Sequence, residues 1–138
     1  MVRDTATVYD SVRAVTVLFD GANVWEYDGT NWAHANPAET PPVRDLHAMA
    51  YDPDRARVIL VGGSGYVSDT YTAFQDHWEY DGSTWIQRHG VTGLPQTDRS
   101  PMVYDSARDR TVLFGGGVPC GDGPCEETLA DTWEYAAR

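Results

Sequence analysis

The 138-residue sequence contains no apolar run near the roughly 18 residues that a membrane helix needs, and its opening, MVRDTATVYD, has no apolar stretch of the signal-peptide kind. Neither a membrane nor an export signal is therefore expected in the chain as it stands. Basic side chains are scarce, ten against 21 acidic ones, and the formal net charge of -11 would repel a phosphate backbone, which argues against nucleic acid as a partner. No segment sustains the 3.6-residue apolar period of a helix. Metal-ligand spacings such as HxxxH are missing, so His34, His77 and His89 read as scattered surface histidines.

Only two cysteines are present, Cys120 and Cys125, both inside the Gly/Pro-rich stretch VPCGDGPC. Their closeness favours a local disulfide, and with it an oxidising, extracellular or exported setting. At 41% hydrophobic and 22% charged residues the chain can bury a core of its own.

What the sequence has in abundance is repetition. WEYDGTNW at 25–32 returns as WEYDGSTW at 78–85, and WEY returns once more at 133–135. Two further landmarks recur: YDSVR, YDPDR and YDSAR, beginning at Tyr9, Tyr51 and Tyr104, and the apolar runs TVLFDG, RVILVGG and TVLFGG. Their spacing is fixed. Eleven residues separate Asp10 from Gly21, Asp52 from Gly63 and Asp105 from Gly116; seven separate Trp25 from Trp32 and Trp78 from Trp85. One joint varies, with 3, 14 and 16 residues between the glycine and WEY. Insertions collect in surface loops on a constant scaffold, so the variable joint reads as a loop.

Each unit reads as four short antiparallel strands: the segment ending in Tyr-Asp, the apolar run, WEY, and the segment around the second Trp. DSVR-type sequences are turns between the first two strands. Asp28-Gly29 and Asp81-Gly82 are expected to supply the φ > 0 positions of a tight hairpin between the last two. The fold class expected is all-β. Units of this kind, with HAMAYD, RVILVGG, WEYDG and TW in register, resemble kelch repeats of the galactose-oxidase-like class of β-propeller.

That resemblance implies a partial β-propeller of three blades, about 5–36, 46–89 and 100–138, the third three-stranded because its second Trp would fall beyond Arg138. Open end blades would expose apolar faces, so self-association is expected, with two copies closing a six-bladed ring as a homodimer. The repeated Trp25, Trp32, Trp78, Trp85 and Trp133 are expected to pack the blades.

By strand alternation, the variable loops share one face with the connectors between units, and that face is where binding is expected. Its candidates are Tyr66, Asp69, Tyr71 and Phe74, a mixture suited to sugar rings or a peptide. Arg44, His47 and Arg99, at the entrances of first strands, are candidates for an anionic ligand. Asp122, Glu126 and Glu127 are oxygen donors that calcium would accept, although they lack the alternating spacing of a calcium loop; no other cofactor is implied.

The resemblance also raises a copper radical oxidase, which would need a Tyr cross-linked to a Cys, a second Tyr and two His ligands. Both cysteines lie in one short loop and no His pair is placed for copper, so the sequence reads as non-enzymatic. The expected function is a binding scaffold for a protein or carbohydrate partner. The alternatives are a fragment of a galactose-oxidase-like carbohydrate-active enzyme, and a designed or excised propeller fragment with no function of its own.

Overall fold

A computed structural model describes residues 4–121 and 127–136. Among them there is no helix. The chain forms two four-stranded antiparallel sheets, one three-stranded sheet and a two-stranded hairpin.

Sheet 1 contains β1 (Ala6–Asp10), β2 (Val15–Phe19), β3 (Val24–Tyr27) and β4 (Trp32–Ala35), paired in sequence order. Sheet 2 contains β5 (Ala48–Asp52), β6 (Arg57–Val61), β9 (His77–Tyr80) and β10 (Trp85–Gln87). Sheet 3 contains β11 (Met102–Asp105), β12 (Arg110–Phe114) and β13 (Thr132–Tyr135). Between β6 and β9, the segment read from sequence as a loop is itself a hairpin, β7 (Ser64–Val67) paired with β8 (Thr70–Ala73).

The first strands lie side by side, β5 between β1 and β11, and the sheets pack face on face. One core cluster joins Val17, Phe19 and Val24 of sheet 1 to Met49, Leu60, Trp78, Tyr80 and Trp85 of sheet 2. A second joins Ala48, Ile59 and Val61 of sheet 2 to Leu113 of sheet 3, with Met102, Trp133 and Tyr135 packed against it. Sheet 2 is therefore covered on both faces, in keeping with the continuous apolar run of β6, while its neighbours each carry one covered face.

The recurrent Tyr-Asp and Arg are one device used three times. Asp10, Asp52 and Asp105 each accept two backbone N–H bonds from their own turn. The Arg three residues on donates its Nε to the same carboxylate at 2.7 to 2.8 Å and its Nη1 to a glutamate of WEY at 2.8 to 2.9 Å. A charged fork thus ties the first turn of each sheet to its third strand. Glu79, fully buried, is held from its other side by Arg88 at 3.0 Å.

The repeat glycine is required by close approach. Gly63 has φ 83°, and a Cβ there would stand 2.5 Å from the Asp45 carbonyl oxygen; Gly116, at φ 93°, meets the Asp98 carbonyl in the same way. At that crossing the connectors bridge to the chain leaving the apolar run, Asp45 to Ser64 and Asp98 to Gly117.

The Asp-Gly turns depart from expectation. Only Gly29 and Gly82 take positive φ, and four residues rather than two link the paired Tyr27 and Trp32, or Tyr80 and Trp85. The aspartate side chain closes the turn, Asp28 accepting from the N–H groups of Thr30 and Asn31, and Asp81 from those of Ser83 and Thr84. Trp32 departs too: Trp85 is buried, but its repeat partner Trp32 is exposed on the outer face of sheet 1.

Candidate functional site

The segments entering the three first strands converge on an open cleft of about 360 Å³, lined by Asp4 and Thr5 before β1, Leu46 and His47 before β5, and Arg99 and Ser100 before β11. Leu46 and Arg99 occupy the same place in successive repeats. Both hold left-handed backbone, φ 63° and 56°, and the Arg99 N–H donates to the Leu46 carbonyl at 3.0 Å. Two non-glycine residues in this region at one rim amount to stored backbone strain.

Of the three cations and imidazoles expected here, two reach the cleft. The Arg99 side chain is 60% exposed, with Nη1 3.4 Å from Asp98 Oδ1. Asp98 is buried, and burial raises its pKa above the usual carboxylate range. His47 is buried edge-on to Phe19, ring centroids 5.1 Å apart. Burial, and after it the nearby Arg44 guanidinium, pull its pKa down to about 4, so the imidazole is neutral at pH 7. The rim thus offers one exposed guanidinium above an uncharged imidazole.

Arg44 is placed differently. Its side chain is 0% exposed, donates to both oxygens of Asp76 and to the Pro42 and Gly62 carbonyls, and lies 3.9 Å over the Phe74 ring. It is an interior pin between the connector and the segment leading into β9. Phe74, expected on the binding loop, is buried under it.

The β7–β8 hairpin holds the remaining candidates. Val67 and Thr70 pair across a two-residue turn, Ser68 and Asp69, both at positive φ (47° and 61°). This is the primed turn that suits a twisted hairpin. Tyr66 and Tyr71 are paired across the strands with rings 5.8 Å apart, edge to face. Tyr66 is 53% exposed and Asp69 sits exposed at the tip.

Glu127 is exposed, whereas Asp122, Glu126 and Cys125 lie outside the described residues. Cys120 is disulfide-bonded. Among the described residues no group of three His, Cys, Asp or Glu side chains is placed to hold a metal ion. His34 and His89 are exposed as expected, but His77 is buried beneath Tyr135, with ring centroids 5.5 Å apart. Burial lowers its pKa to about 4 against the opposing pull of Glu79. Sequence reading missed Asp76 and the Asp-Arg-Glu forks; the recurrence in every repeat of an Arg three residues after the Asp, together with the Glu of WEY, was the signal for the forks.

No protein-family model matches the chain, and no curated protein matches it. Among solved structures, the chain is similar to the one titled "Structure of YjhT", with a TM-score of 0.64 and 14% sequence identity over 90% of this chain. The likeness, which is one of fold, covers 40% of the length of that protein.

Proposed function

We propose that the chain is three kelch-type blades of a β-propeller and serves as a non-catalytic scaffold that binds a protein or carbohydrate partner through the face carrying the β7–β8 hairpin. The fan of sheets, with first strands adjacent and a glycine crossing at each connector, supports the blade reading. The binding reading rests on one observation: an ordered two-residue-turn hairpin holds the Tyr66 ring half out of the protein, buttressed by Tyr71. A ring held in this way loses little rotamer freedom on contact, which suits it to stack on a sugar or grip a peptide.

Glycan and peptide arrays test it. Saturable binding that falls at least about tenfold on Tyr66→Ala, a loss of about 1.4 kcal/mol, with unchanged far-UV circular dichroism, is the expected result. Binding that survives Tyr66→Ala and Tyr71→Ala together overturns the hairpin as the contact.

A further inference from the structure

The two outer faces of the molecule are copies of the two halves of an interface already buried inside it. Between sheets 1 and 2, the back of sheet 1 presents Val17, Phe19 and Glu26 to the front of sheet 2, which presents Leu60, Trp78, Tyr80 and Trp85. Three contacts organise it: Phe19 meets Trp85 at 5.5 Å, Tyr80 Oη donates to Glu26 Oε1 at 3.1 Å, and Tyr51 Oη donates to Asp10 Oδ1.

The back of sheet 3 carries the same residues in the same register, Val112, Phe114, Glu134 and Asp105. Yet Phe114 is 51% exposed where Phe19 is fully buried, and Val103 beside it is 60% exposed. On the front of sheet 1, Leu18, Trp25, Tyr27, Trp32 and Tyr9 match Leu60, Trp78, Tyr80, Trp85 and Tyr51. Tyr9 is 58% exposed and Trp32 49%, against 1% for Trp85. One molecule thus presents an unused back at one end and an unused front at the other.

We infer that a second copy of this chain covers both: the front of sheet 1 docks on the back of sheet 3 of the other copy, twice, closing a two-fold pair. Phe114 of one copy seats against Trp32 of the other, Tyr27 reaches Glu134, and Tyr9 reaches Asp105, repeating the three contacts of the internal interface. Because Arg108 already holds Glu134 and Asp105, the incoming hydroxyl groups meet carboxylates that are neutralised as Glu26 and Asp10 are by Arg13. The contact is heterologous, so closure depends on the rotation between copies. That rotation is supplied by the propeller reading proposed above, on which the inference rests.

The experiment is light scattering across a concentration series on the chain, on Trp32→Glu, on Phe114→Glu and on their mixture. A mass of twice 15.3 kDa is expected for the parent, and 15.3 kDa for each variant alone. Mixing the two variants restores association, because the pair then keeps one intact front-to-back contact; a symmetric front-to-front dimer would give no such rescue. Salt strengthens the association, since two copies of net charge -11 repel at long range. If either variant fails to fold, Val103→Glu replaces Phe114→Glu and Tyr9→Glu replaces Trp32→Glu.

A folded monomer at every concentration, a dimer untouched by both substitutions, or open-ended growth past two copies overturns the inference. A folded monomer leaves the propeller reading standing, because further repeats in a longer chain would cover the same faces. The propeller reading fails separately, if an experimental structure of a monomeric variant shows the sheets not fanned about β1, β5 and β11.

Discussion

Arg44 and Asp76, 32 residues apart in sequence, face each other through two parallel hydrogen bonds of 2.5 and 2.7 Å, with the arginine 0% exposed and the Phe74 ring beneath it. A buried guanidinium in a fork of this kind is tolerable only while its carboxylate is present. The same carboxylate also accepts from Trp78 Nε1 at 2.8 Å. Asp76→Asn leaves the charge inside without its counter-charge and is expected to destabilise the fold by about 3 kcal/mol or more. Arg44→Met, which removes the buried charge and keeps the volume, is expected to cost less. Urea denaturation of the two variants checks the order.

Glycines that look alike in the repeat differ in what surrounds them. Gly29 has nothing within 4 Å of an added Cβ, so Gly29→Ala meets only the left-handed backbone penalty, about 1 kcal/mol. At Gly63 the same Cβ would stand 2.5 Å from the Asp45 oxygen and 2.9 Å from the His47 nitrogen, both backbone atoms that must move. Gly63→Ala is therefore expected to destabilise by several times as much, about 3 kcal/mol or more, and to loosen the cleft rim with it. Thermal unfolding of both variants measures the difference.

Stability should fall as pH drops from about 6.5 to about 4. His47 and His77 have folded pKa values near 4 against 6.5 when free, chiefly because both are buried. The unfolded chain therefore binds protons in that window that the folded chain refuses. Their contribution is fully present above pH 6.5 and lost as pH falls through the folded values, at most roughly 3 kcal/mol for each. His77→Gln is expected to flatten the slope of unfolding free energy between pH 6.5 and 4.5 by about half, read from denaturation curves at successive pH values.

The strands were legible because the landmarks sit on scaffold positions, where glycine, tryptophan and aspartate each answer a local geometric demand. The β7–β8 hairpin was not. Its turn is built from Ser68 and Asp69 in left-handed conformation, a pair without the Asn-Gly or Asp-Gly signature that announces such turns. The burial of Arg44 and Phe74, both candidates for ligand contact, was not legible, because it depends on the pairing of Arg44 with Asp76, a partner set by tertiary packing. Arg99 and His47 line one cleft because strand order fixes where first strands begin, whereas Arg44, read at the same entrance, is drawn inward by Asp76.

The three Asp-Arg-Glu forks are equal in sequence and unequal in setting, which makes them a graded test of burial. Glu79 is 0% exposed and held by Arg55 and Arg88, whereas Glu134 is 40% exposed and held, among the described residues, by Arg108. Glu79→Gln leaves the partly exposed Arg55 and Arg88 without their shared buried counter-charge, although Arg55 keeps Asp52, and is expected to destabilise by about 2 kcal/mol. Glu134→Gln, in dilute protein, is expected to cost under about 1 kcal/mol, as exposed pairs do. Raising the concentration separates the fork from its surroundings: if Tyr27 of a second copy reaches Glu134, the substitution weakens association by up to about tenfold while leaving the dilute chain unaffected. Denaturation at low concentration beside sedimentation at high concentration distinguishes a fork that matters to the single chain from one that matters only where two chains meet.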